Sequence, residues 1–408
     1  MALPAVPKSE VSPSAGLILG LCFMAALCEG FDVQAAGVAA GGIAKELHPT
    51  PAALGWFFSA ANIGLLIGAV IGGRLSDRIG RRAVLIGSLT IFGIFSLMTT
   101  FAGDMQGLTI VRLLTGLGLG GTMPSMIAIA AGVRGGMPKG GDIAFTYIGM
   151  PLGGAIASLL VVFLPVEHWR QVFVIGGVTP LLTAAGMALF LPAVLNHPTA
   201  AAAAASTPSA VQVSASREQF GDGRLPRTLV LWIGFFLAVL TLHLLLNWLP
   251  LLLTAQGLTK NQAALAQVGF NLGGAAGALT VGRMLDTRVR PLGVALCVIA
   301  LPAVLLSLAL IHGPATAALT IMLGGAILAL QVILFSVAGA FYPEHIRGTG
   351  LGVTVGVGRT GSIIGPLLAG ILLAAGGSSV QVLMGLLPMA VVGGACAAFL
   401  AWRAPTGD

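Results

Sequence analysis

About twelve apolar stretches, each long enough to cross a lipid bilayer, follow one another along this chain. Crossing the hydrocarbon core as a helix takes about 20 apolar residues. Measured against that length, the stretches lie at about 15–41, 52–73, 83–102, 107–131, 143–165 and 171–192, then at 228–254, 263–282, 291–312, 315–339, 350–374 and 379–402. Only 8% of the residues are charged, against about a quarter in soluble domains. A chain this poor in charge does not stay in water as a monomer, so the expected fold class is an all-α polytopic membrane protein. Its 59 glycines are about twice the usual share, which suits helices that pack backbone against backbone in lipid.

Residues 1–14 form a short polar tail, and the apolar run after them is too long for a signal peptide. A second change of texture separates the sixth and seventh stretches. Pro198 to Asp222 holds an alanine run followed by Ser, Thr, Pro and Gln, too little apolar area to fold alone. The expected organisation is therefore a tail over 1–14, a bundle over 15–192, a linker over 193–227, a bundle over 228–402 and a tail over 403–408. Lys and Arg set the orientation. With the N-terminus inside, the outer loops hold only Lys45, Arg170 and Lys260 of the 20 basic residues, and most of the others fall in inner segments. Both termini and the linker are thus expected in the cytoplasm. The net charge of +7 follows from this topology and does not imply a nucleic-acid partner. The cysteines Cys22, Cys28, Cys297 and Cys396 all lie in apolar segments without metal-ligand spacing and read as packing residues.

The two halves repeat. After the second stretch comes Gly73-Arg74-Leu75-Ser76-Asp77-Arg78-Ile79-Gly80-Arg81-Arg82, and after the eighth comes Gly282-Arg283-Met284-Leu285-Asp286-Thr287-Arg288. Gly, Arg and Asp recur at one constant offset close to half the chain, as expected of paired bundles that rock against each other. Glycine allows close helix packing, Asp caps or pairs, and Arg anchors at the lipid surface. The first copy resembles the signature of the major facilitator superfamily. The resemblance implies twelve helices in two pseudo-symmetric six-helix bundles. It also implies a gate latch that stabilises the outward-open state, built on Gly73, Asp77, Arg78, Gly80 and Arg81, with Asp286 in the second copy.

Charges inside the spans are costly and mark function. The fourth span opens with Arg112-Leu113-Leu114-Thr115-Gly116-Leu117-Gly118-Leu119-Gly120, and an Arg there is expected to face the cavity with a partner, or else to reach the headgroups. The first span carries Glu29 and Asp32, one helical turn apart on one face. Two carboxylates this close in a low dielectric cannot both stay ionised cheaply. They read as proton-coupling groups, or alternatively as a structural pair neutralised by Arg112. Arg359 is a second cation within a span, suited to a bidentate grip on a substrate carboxylate or to latching another helix. His243 and Asn247 share a face of the seventh span; they suit cargo hydrogen bonds, or bonds between helices. Tyr147, Phe270, Asn271 and Gln331 read in the same two ways. Aromatic walls with a few placed polar groups are how flat acids are held.

The segment Glu29-Gly30-Phe31-Asp32-Val33-Gln34-Ala35-Ala36-Gly37 resembles the aromatic acid:proton symporter family, with Glu where that family's first acid is Asp. The longer string from Glu29 to Ala44, together with Asn247-Trp248-Leu249-Pro250 and Gly356-Val357-Gly358-Arg359-Thr360-Gly361, is similar to the 3-(3-hydroxyphenyl)propionate branch of that family. The resemblance implies import of a small aromatic carboxylate with a proton across the inner membrane; a monomer is expected because both bundles come from one chain, and no cofactor is expected. Arg112 and Arg359 would attract the carboxylate, and Glu29 and Asp32 would take the proton. Two other readings compete: a proton-coupled efflux pump of the same fold, and a membrane sensor of aromatic acids that does not transport. An enzyme is not expected, because no nucleophile–base arrangement, metal-ligand cluster or nucleotide loop stands in the chain.

Overall fold

The structure is a computed structural model that describes residues 15–132, 140–191, 220–221, 223–285, 287–311, 313 and 315–403. The tail 1–14, most of the linker, the residues after 403 and Asp286 lie outside the described residues. The first half contains α1 (Ala15–Leu47), α2 (Pro51–Ile79), α3 (Arg81–Met98), α4 (Met105–Gly120), α5 (Thr122–Gly132), α6 (Gly140–Phe163) and α7 (Arg170–Phe190). The second half contains α8 (Leu225–Ala255), α9 (Lys260–Leu285), α10 (Arg290–Leu310), α11 (Ala315–Phe341), α12 (Glu344–Ala374) and α13 (Ser379–Arg403). Together they supply 12 helical segments long and apolar enough to cross a membrane, with α4 and most of α5 forming one of them.

Several helices overrun their apolar stretches. Helix α1 continues to Leu47, and α2 continues through Arg74 and Asp77 to Ile79. Apolarity ends where lipid ends, whereas a helix ends where a residue breaks it. For α1 the break is Pro49, preceded by His48 at φ 44°. For α2 it is Gly80 at φ 91°, whose N–H donates to the Ser76 carbonyl at 3.0 Å. The fourth span, a single stretch by apolarity, is interrupted at Gly121, between α4 and α5.

The principal pairings repeat between halves. Helices α1–α6, α2–α4 and α3–α7 pack in the first bundle, and α8–α12, α9–α11 and α10–α13 match them in the second. Lipid tails are as apolar as leucine, so burial does not drive these contacts; close packing does. Glycines supply it at equivalent places. A Cβ on Gly116 of α4 would overlap the Ala61 carbonyl of α2, and one on Gly324 of α11 would overlap the Phe270 carbonyl of α9. Gly116→Ala is therefore expected to lower stability by about 1–3 kcal/mol, because a backbone carbonyl cannot rotate away. Gly356→Ala, where the Cβ meets open space, is the control expected to melt like wild type in detergent. Equal melting temperatures for the two variants would refute this account of the packing.

The bundles meet through α1–α8, α2–α12 and α6–α9. The tight contacts gather near the α1–α2 loop. Ser59 donates to the Ile363 carbonyl at 2.7 Å, and a Cβ on Gly370 would sit 2.7 Å from the Pro51 carbonyl oxygen. Lys260 Nζ donates to the Leu164 carbonyl across the α6 and α9 ends. Towards the opposite end, Gly352 and Gly356 of α12 face open space and Tyr147 of α6 is 42% exposed. The path between the bundles is thus closed at the α1–α2 end and open at the end that carries Gly73 to Arg82.

Candidate functional site

Two charge clusters lie midway along the helices. In the first, Arg112 of α4 reaches Asp32 of α1. Its Nη1 donates to Asp32 Oδ1 at 2.8 Å and Oδ2 at 2.9 Å, and its Nη2 donates to the Asp32 carbonyl at 3.3 Å. Both side chains are within 2% of complete burial. The Phe173 ring of α7 covers the guanidinium, with its centroid 5.8 Å from Cζ. A narrow cavity beside the pair is lined by Asp32, Val33, Phe58, Asn62, Arg112 and Asn247, with about 10 Å³ of room, enough for one water. Arg112 is thus committed to Asp32 in this state.

The second cluster is shared between the bundles. Glu29 lies one turn before Asp32 on α1, is 1% exposed, and has an Oε2 atom without a hydrogen-bond partner. Among the described residues, Arg359 on α12 and Asp32 are the charged groups within electrostatic range of it. Arg359 also acts on His243 of α8 and Tyr147 of α6. The imidazole turns Nδ1 to the Val239 carbonyl at 3.1 Å, so its proton belongs there and Nε2 is the acceptor. This group faces the open end, where Tyr147 is exposed. One acid of the expected pair therefore sits in an ion pair, while the other lies buried within range of a cation that is not committed to it by a hydrogen bond.

The remaining expected site residues divide. Asn247 donates to the His243 carbonyl at 2.8 Å and lines the cavity beside Arg112. Asn271 donates to Gln34 Oε1 at 3.3 Å and to the Gln267 carbonyl at 3.0 Å. Gln331 of α11 is partly buried, with Nε2 unpartnered. Phe270 is fully buried in the apolar core, and its backbone abuts Gly324. Among the latch residues, Asp77 and Arg78 are exposed at the open end, Gly73 faces open space, and Arg81 Nη1 lies 3.5 Å from the Ala128 carbonyl of α5.

Sequence reading passed over Gln34 and Gln267. Gln34 Nε2 donates to the Leu246 carbonyl of α8 at 2.7 Å, and Gln34 Oε1 accepts from Gln267 Nε2 of α9 at 3.1 Å. All three amides, with Asn271, are buried where the bundles meet. The signal was available: an amide inside an apolar span must find a partner or pay for desolvation.

The Major Facilitator Superfamily description matches residues 22–366 and 231–408. The 3-(3-hydroxy-phenyl)propionate transporter of Escherichia coli is 39% identical over 93% of this chain and 92% of its own length. The gallate transporter of Pseudomonas putida is 32% identical over 88% of this chain and 86% of its own. Among solved structures, a bacterial homolog of the human lysosomal transporter Spinster, inward-facing and unoccupied, aligns with TM-score 0.79 at 16% identity, covering 98% of this chain and 100% of that one. A D-xylose-proton symporter aligns with TM-score 0.74 at 16% identity, covering 96% and 98%.

Proposed function

This chain belongs to the major facilitator superfamily, and from that premise we propose that it imports small aromatic carboxylates together with protons across the inner membrane by alternating access. It is a transporter with 12 membrane-crossing segments, not an enzyme. The cargo class draws support from relatives named for hydroxyphenylpropionate, gallate and 4-hydroxybenzoate. The observation that carries the coupling is Glu29, a carboxylate buried in the middle of α1 with an unpartnered oxygen.

The mechanism follows from competition for one cation. When ionised, Glu29 holds the field of Arg359. When protonated, Glu29 releases it, and the guanidinium takes the carboxylate of the cargo as a bidentate fork. Each of proton and cargo therefore favours binding of the other, as linkage requires. Asp32 and Arg112 act beneath this exchange by holding α1 against α4. Tyr147, His243, Asn247 and Gln331 line the route of the ring. With both ligands bound, the site carries no added net charge, and the bundles rock to exchange the closed end. Orientation follows the basic residues: the open end, with Arg74, Arg78, Arg81 and Arg82, is cytoplasmic, and both termini lie there. The state described is then inward-facing. The protein works as a monomer, because one chain supplies both walls.

The decisive experiment is uptake into proteoliposomes of labelled aromatic acids under an inward proton gradient, with and without a protonophore. Accumulation that the protonophore abolishes is the expected result. Protection of cells from toxic amphiphiles, with no uptake of any aromatic acid, would replace import with efflux.

A further inference from the structure

We propose that Gln34, Gln267 and Asn271 form a subsite that reads a ring hydroxyl on the cargo, so that hydroxylated aromatic acids are preferred over their unsubstituted counterparts. This rests on the aromatic-acid reading above and narrows it.

The orientation of the amides fixes what the subsite lacks. Gln34 Nε2 faces the Leu246 carbonyl at 2.7 Å and can only donate there. Gln34 Oε1 is therefore the acceptor, and Gln267 and Asn271 must both present their NH₂ groups to it, at 3.1 and 3.3 Å. That leaves Gln267 Oε1 as an acceptor, buried and without a partner. Asn271 does not turn to serve it. Its amide also donates to the Gln267 carbonyl at 3.0 Å, and α6 presses on it so closely that a Cβ on Gly154 would lie 2.8 Å from Asn271 Oδ1.

A buried acceptor without a partner calls for a donor. The carboxylate of the cargo cannot supply one, but a phenolic hydroxyl can. The placement also fits. Gln34 of α1 bonds both Gln267 of α9 and the Leu246 carbonyl of α8, the helix that carries His243 and Asn247, so the amides stand at the seam between the two bundles. The approach of the hydroxyl belongs to the closing of the α1–α2 end, because the three amides come from both bundles. A site built around a substrate hydroxyl rejects the analogue that lacks it, since the acceptor is left unpaired in the complex.

The test compares two acids in the same vesicles, 3-(3-hydroxyphenyl)propionate and 3-phenylpropionate, so that the ratio of their kcat/KM values is independent of the amount of folded protein. Wild type is expected to prefer the hydroxylated acid by about 10-fold or more. Gln267→Met keeps the length of the side chain and removes the acceptor. It is expected to bring the ratio to within about 2-fold of unity by slowing the hydroxylated acid alone. Gln34→Leu, which frees the Gln267 amide to turn, is the independent second variant and is expected to shift the ratio in the same direction. A preserved preference in both variants, or an equal loss for both acids, would overturn the subsite and leave these amides as a contact between bundles only. Wild-type protein that moves neither acid would remove the aromatic-acid reading itself, and the subsite with it.

Discussion

Arg112→Met is expected to abolish uptake and to lower folding stability by about 3–5 kcal/mol, the usual result of stranding one member of a buried ion pair. Among the described residues no other side chain is hydrogen-bonded to the Asp32 carboxylate: Arg112 Nη1 alone serves both of its oxygens. Once it is gone, a fully buried carboxylate must take up a proton or remain charged in a low dielectric. Transport fails for a second reason. The pair ties α1, the helix that carries Glu29, to α4. Asp32→Asn leaves the opposite charge stranded and is expected to be destabilised to a similar degree. The double variant Asp32→Asn, Arg112→Met removes both charges and is expected to regain most of the stability without regaining uptake. Thermal unfolding in detergent and proteoliposome uptake measure the two effects separately. A single variant as stable as wild type would show that the pair is dispensable.

Glu29→Gln is expected to behave in the opposite way, with stability near that of wild type and coupling lost. The amide keeps the shape of the side chain and takes away the exchangeable proton. Proton-driven accumulation should fall by at least about 10-fold, the scale of a lost charge-assisted contact. Exchange of external for internal aromatic acid should persist, because the neutral amide mimics the protonated state in which Arg359 is free for the cargo. Counterflow without a gradient isolates that exchange. If Glu29→Gln still concentrates the acid under an inward proton gradient, the proton resides elsewhere and the competition for Arg359 is not the coupling step.

The contrast between these two acids was not available from their spacing. Glu29 and Asp32 share a turn of α1, so residue types and periodicity treat them alike. What separates them is contributed by other helices: Arg112 lies 80 residues from Asp32, and Arg359 lies in the second bundle. Phe270 illustrates the reverse case. Its residue type suits a wall for an aromatic ring, yet the close approach of α11 at Gly324 places it in the core.

From the sequence alone follow the membrane class, the spans to within a few residues, the intramembrane charges and the repeat, because each depends on local apolarity or on identity at a fixed offset. The family resemblance is legible for the same reason, since it is carried by short contiguous motifs. Helix ends were less legible, because α1 and α2 continue beyond the lipid until Pro49 and Gly80 stop them. Only the tertiary structure decided which acid is paired, which cation is uncommitted and where Gln34 finds its partners. It also decided that the path closes at the α1–α2 end. In lipid the periodicity of a helix says little about which face meets which neighbour, because apolar residues suit lipid and protein equally. The choice is made by close backbone approach and by polar groups that find each other across the bundles.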